Sequence, residues 1–160
     1  MGASLLAVID GTGHGPEAAE AARQACQVIG AHAQLRPAAL LERCHRELRT
    51  TRGAAMGLLR IDSEMKGQFA GVGNVAVVTR STSPITVLSH AGIVGHRMRK
   101  VHEFEFRCGP GDLICLYSDG VRSSLRLDEV LGLPLPQAAE RILDTYGKSS
   151  DDATVLLVSL

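Results

Sequence analysis

The chain has 160 residues, enough for one domain with a sizeable core and too few for two ordinary ones. Apolar residues make up 45%, charged residues 21%, and seventeen basic side chains balance seventeen acidic ones, which excludes disorder as the main state. A neutral balance without long Lys/Arg runs argues against nucleic acid and anionic membrane as partners, and no apolar run approaches the ~20 residues of a membrane-spanning helix. Cys26, Cys44, Cys108 and Cys115 form neither a CxxC pair nor a zinc-ligand spacing and are expected as core thiols. Without a signal peptide, a cytoplasmic location is expected.

In chain order, Ser4–Ile9 reads as a buried strand stopped by Asp10–Gly11. Pro16 opens a helix to about Ile29, with Glu17 and Glu20 complementing its positive end and Ala18, Ala22, Ala25 and Ile29 giving a small face. Pro37 opens a second helix, with Leu41, Cys44 and Leu48 at helical spacing. The pattern then turns to strands over Ala54–Ile61, Gln68–Thr79 and Ile85–Ser89, which read as an antiparallel meander. Val101–Phe106 alternates as a half-buried strand, Cys108–Asp112 is turn chemistry, and Leu113–Tyr117 is a buried strand ending at Ser118–Asp119–Gly120. Helices are expected over Leu127–Leu131 and Gln137–Tyr146, before a last strand at Thr154–Leu160. The fold class is therefore α+β, with helices on the outer faces of mostly antiparallel sheets, and two stacked sheets are preferred.

Three separated segments share one local form, an apolar strand joined at one end to an acidic turn: Val8–Gly11, Leu116–Gly120 and Ser150–Thr154. A single Asp–Gly usually marks only a turn. Three acidic turns beside core strands are different, because an unpaired carboxylate there is costly to bury. A hard divalent cation takes oxygen ligands, and Asp10, Asp119 and Asp151 converging from strand ends supply them. Gly11, lacking a side chain, is a candidate to bring its carbonyl close to a metal.

Asp10–Gly11, Gly73–Asn74, Gly111–Asp112–Leu113, Ser118–Asp119–Gly120–Val121 and Asp151–Asp152–Ala153–Thr154 together resemble the metal-dependent protein phosphatases of type 2C (PPM), in their bacterial SpoIIE-like branch. The loops Asp10–Ala18 and Ser89–His96 are similar to those of the RsbX-type stressosome phosphatases. The resemblance implies an α-β-β-α sandwich flanked by helix pairs, formed as one domain by residues 1–160. It further implies a serine/threonine phosphatase with Mn2+ or Mg2+, in which a water bridging two ions attacks phosphorus. Asp10 then bridges the ions, Gly11 offers its carbonyl to one, and Asp119 and Asp151 bind the other, with Asp152 behind them or as an alternative ligand. The family's strand ahead of the Asp10 strand, which adds an acidic ligand, has no counterpart in this sequence, so the second ion is expected to bind more weakly. The implied substrate is a phosphorylated STAS-domain or stressosome protein.

His14 has two readings, a functional one in which it donates a proton to the leaving serine oxygen or hydrogen-bonds a metal-bound water, and a turn histidine capping the next helix. His90 and His96 are expected to be idle loop histidines, and Asn74 to fix a strand bend or to stand behind the metal ligands. The His90–Lys100 loop, with Gly92 and Gly95 for pliability and Arg97, Arg99 and Lys100 for charge, is expected to govern substrate choice. Two rival functions stand beside the phosphatase. A dinucleotide fingerprint is opposed by the GxGxG spacing and by a second helix where a parallel strand should follow. A catalytically weak or inactive phosphatase fold that only binds a signalling protein is opposed by the presence of Asp10, Asp119 and Asp151.

Overall fold

The structure is a computed structural model that describes residues 2–160. Seven strands, β1 (Ser4–Gly11), β2 (Ala54–Ile61), β3 (Lys66–Val72), β4 (Ala76–Arg80), β5 (Phe104–Arg107), β6 (Leu113–Tyr117) and β7 (Val155–Ser159), form two antiparallel sheets. The first has the order β1-β2-β3-β5 and the second β4-β6-β7. Helices α1 (Pro16–Ala31) and α2 (Pro37–Glu47) lie on the first sheet. Helix α3 (Leu135–Tyr146) and a 3-10 turn at Leu127–Val130 cover the second.

Three apolar cores separate these four layers. Leu40, Leu41, Cys44 and Leu48 meet Met56, Leu58, Ala70 and Val72 between the helix pair and the first sheet. Val8, Leu59, Phe69 and Val75 meet Ile114 and Leu116 between the sheets. Cys115, Tyr117, Ala138 and Ile142 fill the space under α3. The alternation of β2 explains the division, since Met56 and Leu58 face the helices while Ala55 and Leu59 face the other sheet. This is the expected α-β-β-α sandwich, except that one α-helix and a 3-10 turn stand where a second helix pair was expected.

Several elements depart from their sequence reading. Gln68–Thr79 is two strands, not one: β3 ends at Val72, and after Gly73–Asn74–Val75 the chain enters β4 in the opposite sheet. Asn74 therefore stands at a crossing between sheets, where Gly73 adopts φ 91°. Ile85–Ser89 is irregular: Ser89 Oγ donates to the Val75 carbonyl at 2.5 Å, Val87 packs into the core between the sheets, and the neighbouring His90 bridges to Val72, so the meander stops after one hairpin. The β1 strand is mostly half-buried because it is an edge of its sheet among the described residues. The buried face of α1 is Ala18, Ala21 and Ala25. Cys44 and Cys115 are core thiols, pushed up to about 12 by burial, whereas Cys26 is exposed and Cys108 half-buried. No helix among the described residues is long and apolar enough to cross a membrane.

Candidate metal centre

The site forms where the same ends of both sheets meet. Asp10 is the seventh residue of β1, with its Cα in register with Ala55 of β2, so a hydrogen-bonded ladder fixes its backbone. Asp119 follows β6 by two residues, and Asp151 and Asp152 lie in the turn before β7. All four carboxylates line one cavity of about 1030 Å³, together with Gly11, Thr12, Gly13 and His14. Gly73, Asn74, Ala91, Gly92 and Ile93 form another part of its wall.

Two glycines make this convergence possible by close packing. A Cβ at Gly11 would stand 2.0 Å from the Ala18 carbonyl oxygen, so only glycine lets the start of α1 lie against the end of β1. A Cβ at Gly120 would stand 2.0 Å from the Asp152 carbonyl oxygen, so the second Asp–Gly brings the β6 end against the acidic turn before β7. The glycine of each pair thus has a packing reason of its own, one that sequence alone did not supply for Gly11.

Ser118 completes the second half of the site. Its buried Oγ accepts the Thr154 N–H at 3.0 Å, and its own N–H donates to the Thr154 carbonyl at 3.1 Å. Lys148 reaches the same turn from the other side. Its N–H donates to the Gly120 carbonyl at 2.8 Å and its Nζ to the Asp119 carbonyl at 2.6 Å. These two residues were missed in the sequence. In the sequence Ser118 reads only as part of a turn, and Lys148, distant from it along the chain, gives no signal.

The electrostatics suit a cation. Burial first, and then the charges of Asp119, Asp151 and Asp152, raise the Asp10 carboxyl above its ordinary range. Among the described residues none of the four carboxylates forms an ion pair. The only hydrogen bond recorded to any of these carboxylate groups is from the Asp152 N–H to Asp151 Oδ1 at 2.9 Å. Four uncompensated oxygen donors around one cavity fit a hard divalent ion. No three acidic, histidine or cysteine side chains among the described residues are gathered closely enough to make a finished shell for one ion. The residues offer donors and charge, and the side chains would have to draw in to hold an ion.

The other singled-out residues sort differently. His14 lines the cavity and is exposed. It does not cap α1, whose N-cap is Gly15 and which has no side-chain cap. His90 lies outside the lining, accepting the His102 N–H at Nε2 at 3.3 Å, and His96 Nε2 lies 2.7 Å from the Thr51 carbonyl oxygen. Both therefore help hold loops. Asp112 is at the opposite end of β6, buried, accepting from Thr82 and Gly109, and is a turn residue.

Comparison with known proteins accords with this geometry. The family model for Stage II sporulation protein E (SpoIIE) matches residues 2–160. A chain from a bacterial stressosome, described as a modular system adapted to control secondary messenger signaling, is 34% identical with a TM-score of 0.92, over 98% of this chain and 85% of that one. RsbX in complex with magnesium is 21% identical with a TM-score of 0.83, over 97% and 79%. The PPM Ser-Thr phosphatase MsPP from Mycobacterium smegmatis, in complex with cacodylate, is 18% identical with a TM-score of 0.74, over 98% and 88%. The last two likenesses establish the fold. No curated protein gave a match. With a family model spanning 2–160 and the PPM fold in both sheets, the chain belongs to the SpoIIE family.

Proposed function

We propose that the chain, as one catalytic domain over residues 1–160, is a metal-dependent protein serine/threonine phosphatase acting on a phosphorylated stressosome-type protein, with a STAS domain as the expected carrier. The observation that carries this reading is the convergence of Asp10, Asp119, Asp151 and Asp152, from strand ends of two sheets, on one cavity, with no ion-pair partner for any of them among the described residues. The stressosome relative at 34% identity supports the substrate class.

Asp10 and the Gly11 carbonyl on the first sheet, and Asp119 and Asp151 on the second, would hold Mn2+ or Mg2+, with Asp152 adjoining. When bound, such ions lower the pKa of water and offset the charge of the phosphoryl oxygens. The chain's own residues do the rest of the positioning. The β1–β2 ladder holds Asp10, and the Ser118 and Lys148 bonds hold the Asp119 turn against the turn before β7. In the overall reaction, water oxygen bonds to phosphorus, the P–O bond to serine or threonine breaks, and the leaving oxygen takes up a proton. The test is to incubate the protein with a phosphoserine protein, with and without manganese, and to follow the loss of phosphate by intact mass. Manganese-dependent loss that Asp119→Asn removes is expected. Full activity in excess chelator overturns the metal mechanism, and no loss under any condition favours the binding-module alternative.

A further inference from the structure

The chain is neutral as a whole, yet one part of its surface is strongly cationic. Arg46, Arg49, Arg97, Arg99 and Lys100 are all exposed, and among the described residues none of them forms an ion pair. They come from two segments, the end of α2 with its 3-10 extension Leu48–Thr50 and the loop between β4 and β5.

The structure pins these segments together. The Gly95 N–H donates to His45 Nδ1 at 2.9 Å, and His96 Nε2 lies 2.7 Å from the Thr51 carbonyl oxygen. A Cβ at Gly95, where φ is 101°, would come within 2.9 Å of the Leu48 carbonyl oxygen. The expected pliability of the Gly92–Gly95 stretch is therefore not found, since both glycines are needed for tight contact. Burial, followed by the charges of Arg49, His96 and Arg46, pushes the His45 imidazole below its usual range, and the contacts of His45 with Gly95 and of His96 with Thr51 are what bring the two cationic segments side by side.

The cationic surface also adjoins the acidic cavity. Ala91, Gly92 and Ile93 form part of the cavity wall. Ile93 and Arg97 exchange backbone hydrogen bonds of 2.8 and 3.0 Å, and Val94 and Ala54 exchange bonds of 2.9 and 3.0 Å. Arg97 is thus tied directly to a wall residue. Met98 packs into the helix-side core, which leaves Arg97 and Arg99 on either side of it in solvent. Cations gathered without counter-ions beside a cleft attract an anionic surface and fix its orientation.

We propose that Arg46, Arg49, Arg97, Arg99 and Lys100 form a docking surface for an acidic segment of the phosphoprotein, next to the residue that it presents to the Asp10–Asp119 cavity. This rests on the phosphatase reading above, and the experiment separates the two. Three probes are compared with manganese present: a phosphoserine peptide flanked by Asp and Glu, one of equal length flanked by Ser and Gly, and p-nitrophenyl phosphate. The acidic peptide is expected to be turned over with kcat/KM roughly tenfold higher than the neutral one at low salt, mainly through KM, with the gap closing as ionic strength rises. The double variant Arg97→Glu/Arg99→Glu should erase that preference while leaving p-nitrophenyl phosphate within about twofold. Arg46→Glu/Arg49→Glu should do the same from the other segment, and thermal melts of both variants establish that they fold.

Equal turnover of the two peptides, or equal losses on all three substrates in folded variants, overturns the docking surface and leaves the phosphatase reading standing. If no probe is turned over, the phosphatase reading fails, and fluorescence anisotropy of the labelled peptides still decides docking. Preferential, salt-sensitive binding of the acidic peptide that both variants abolish upholds it, and equal binding of the two peptides overturns it. Equally tight binding of an RNA oligonucleotide of matched charge also overturns it, by showing a surface that holds any polyanion.

Discussion

The two sheets hold their shares of the acidic site by different means. On the first, Asp10 sits inside a strand whose register with β2 is continuous from Ser4 to Gly11, and Gly11 is pressed under Ala18 of α1. On the second, Asp119, Asp151 and Asp152 all lie outside strands, in turns joined by the few bonds of Ser118, Gly120 and Lys148. One half is set by a cooperative ladder, whereas the other depends on discrete contacts. Such a site has a fixed wall and an adjustable one, which would suit carboxylates drawing together around a cation.

The comparison is broken most completely by removing a carboxylate from either wall. Asp10→Asn and Asp119→Asn each keep shape and delete one anionic ligand, and each is expected to lower manganese-dependent turnover by roughly a hundredfold or more. Asp10→Asn should be at least as damaging, if Asp10 serves both ions as proposed. Steady-state kinetics across a manganese titration checks this, and a loss at Asp119 that excess manganese fully restores would show that its role is affinity alone.

The glycines sharpen the same contrast. Gly11→Ala forces a methyl group against the Ala18 carbonyl, and Gly120→Ala forces one against the Asp152 carbonyl, each at a built distance of 2.0 Å. Overpacking of this kind costs about 1–3 kcal/mol, so both should lower the melting temperature. Their effects on metal binding should differ. Gly120→Ala displaces a turn that carries carboxylates and should weaken manganese binding by calorimetry, while Gly11→Ala can relax by shifting α1. Equal weakening in both would mean that the walls are equally stiff.

Much of this was legible in sequence, for identifiable reasons. Asp10, Asp119 and Asp151 announce themselves because a carboxylate at the end of an apolar strand is chemically out of place. Leu113–Tyr117 and Ala54–Ile61 were read with the boundaries that the structure gives, since long buried runs have clear ends. Gln68–Thr79 was misread because β3 and β4 are both apolar, and nothing in periodicity shows that Gly73–Asn74 carries the chain between sheets. Ile85–Ser89 has strand-forming residues but no neighbour to pair with, so tertiary context overrides propensity. Ser118 and Lys148 act through bonds to residues 36 and 29 positions away, beyond the reach of any local pattern.

A smaller effect belongs to Ser118→Ala. It removes the side-chain acceptor of the Thr154 N–H, whose residue is exposed and can turn to water, and should cost about 1 kcal/mol of stability. Because the Ser118–Thr154 backbone bond remains, turnover should fall only a few-fold, through weaker manganese binding more than through the rate at saturation. Loss of stability with unchanged manganese affinity would mean that this bond holds the sheet rather than the site.

The smallest expected effect is one of pH, and it isolates the fixed wall. Burial and the neighbouring carboxylates raise the Asp10 carboxyl in the folded chain above its unfolded value of 3.8. Over the interval from 3.8 up to the raised value, the folded state holds more proton at this group than the unfolded state does. Stability then falls as pH rises through that interval, because the slope follows the protons bound by the unfolded minus the folded state. The Asp10 contribution is therefore opposite in sign to that of a carboxylate held low by a salt bridge. In chelator, wild type should lose melting temperature across this interval relative to Asp10→Asn, which has no proton to release there. Manganese should reverse the trend, since a cation favours the ionised carboxylate and stabilises more as pH rises. Differential scanning fluorimetry of both proteins, in chelator and in manganese, measures the two slopes. If wild type and Asp10→Asn run parallel in chelator, Asp10 is not under the charge pressure on which the proposed cation site rests.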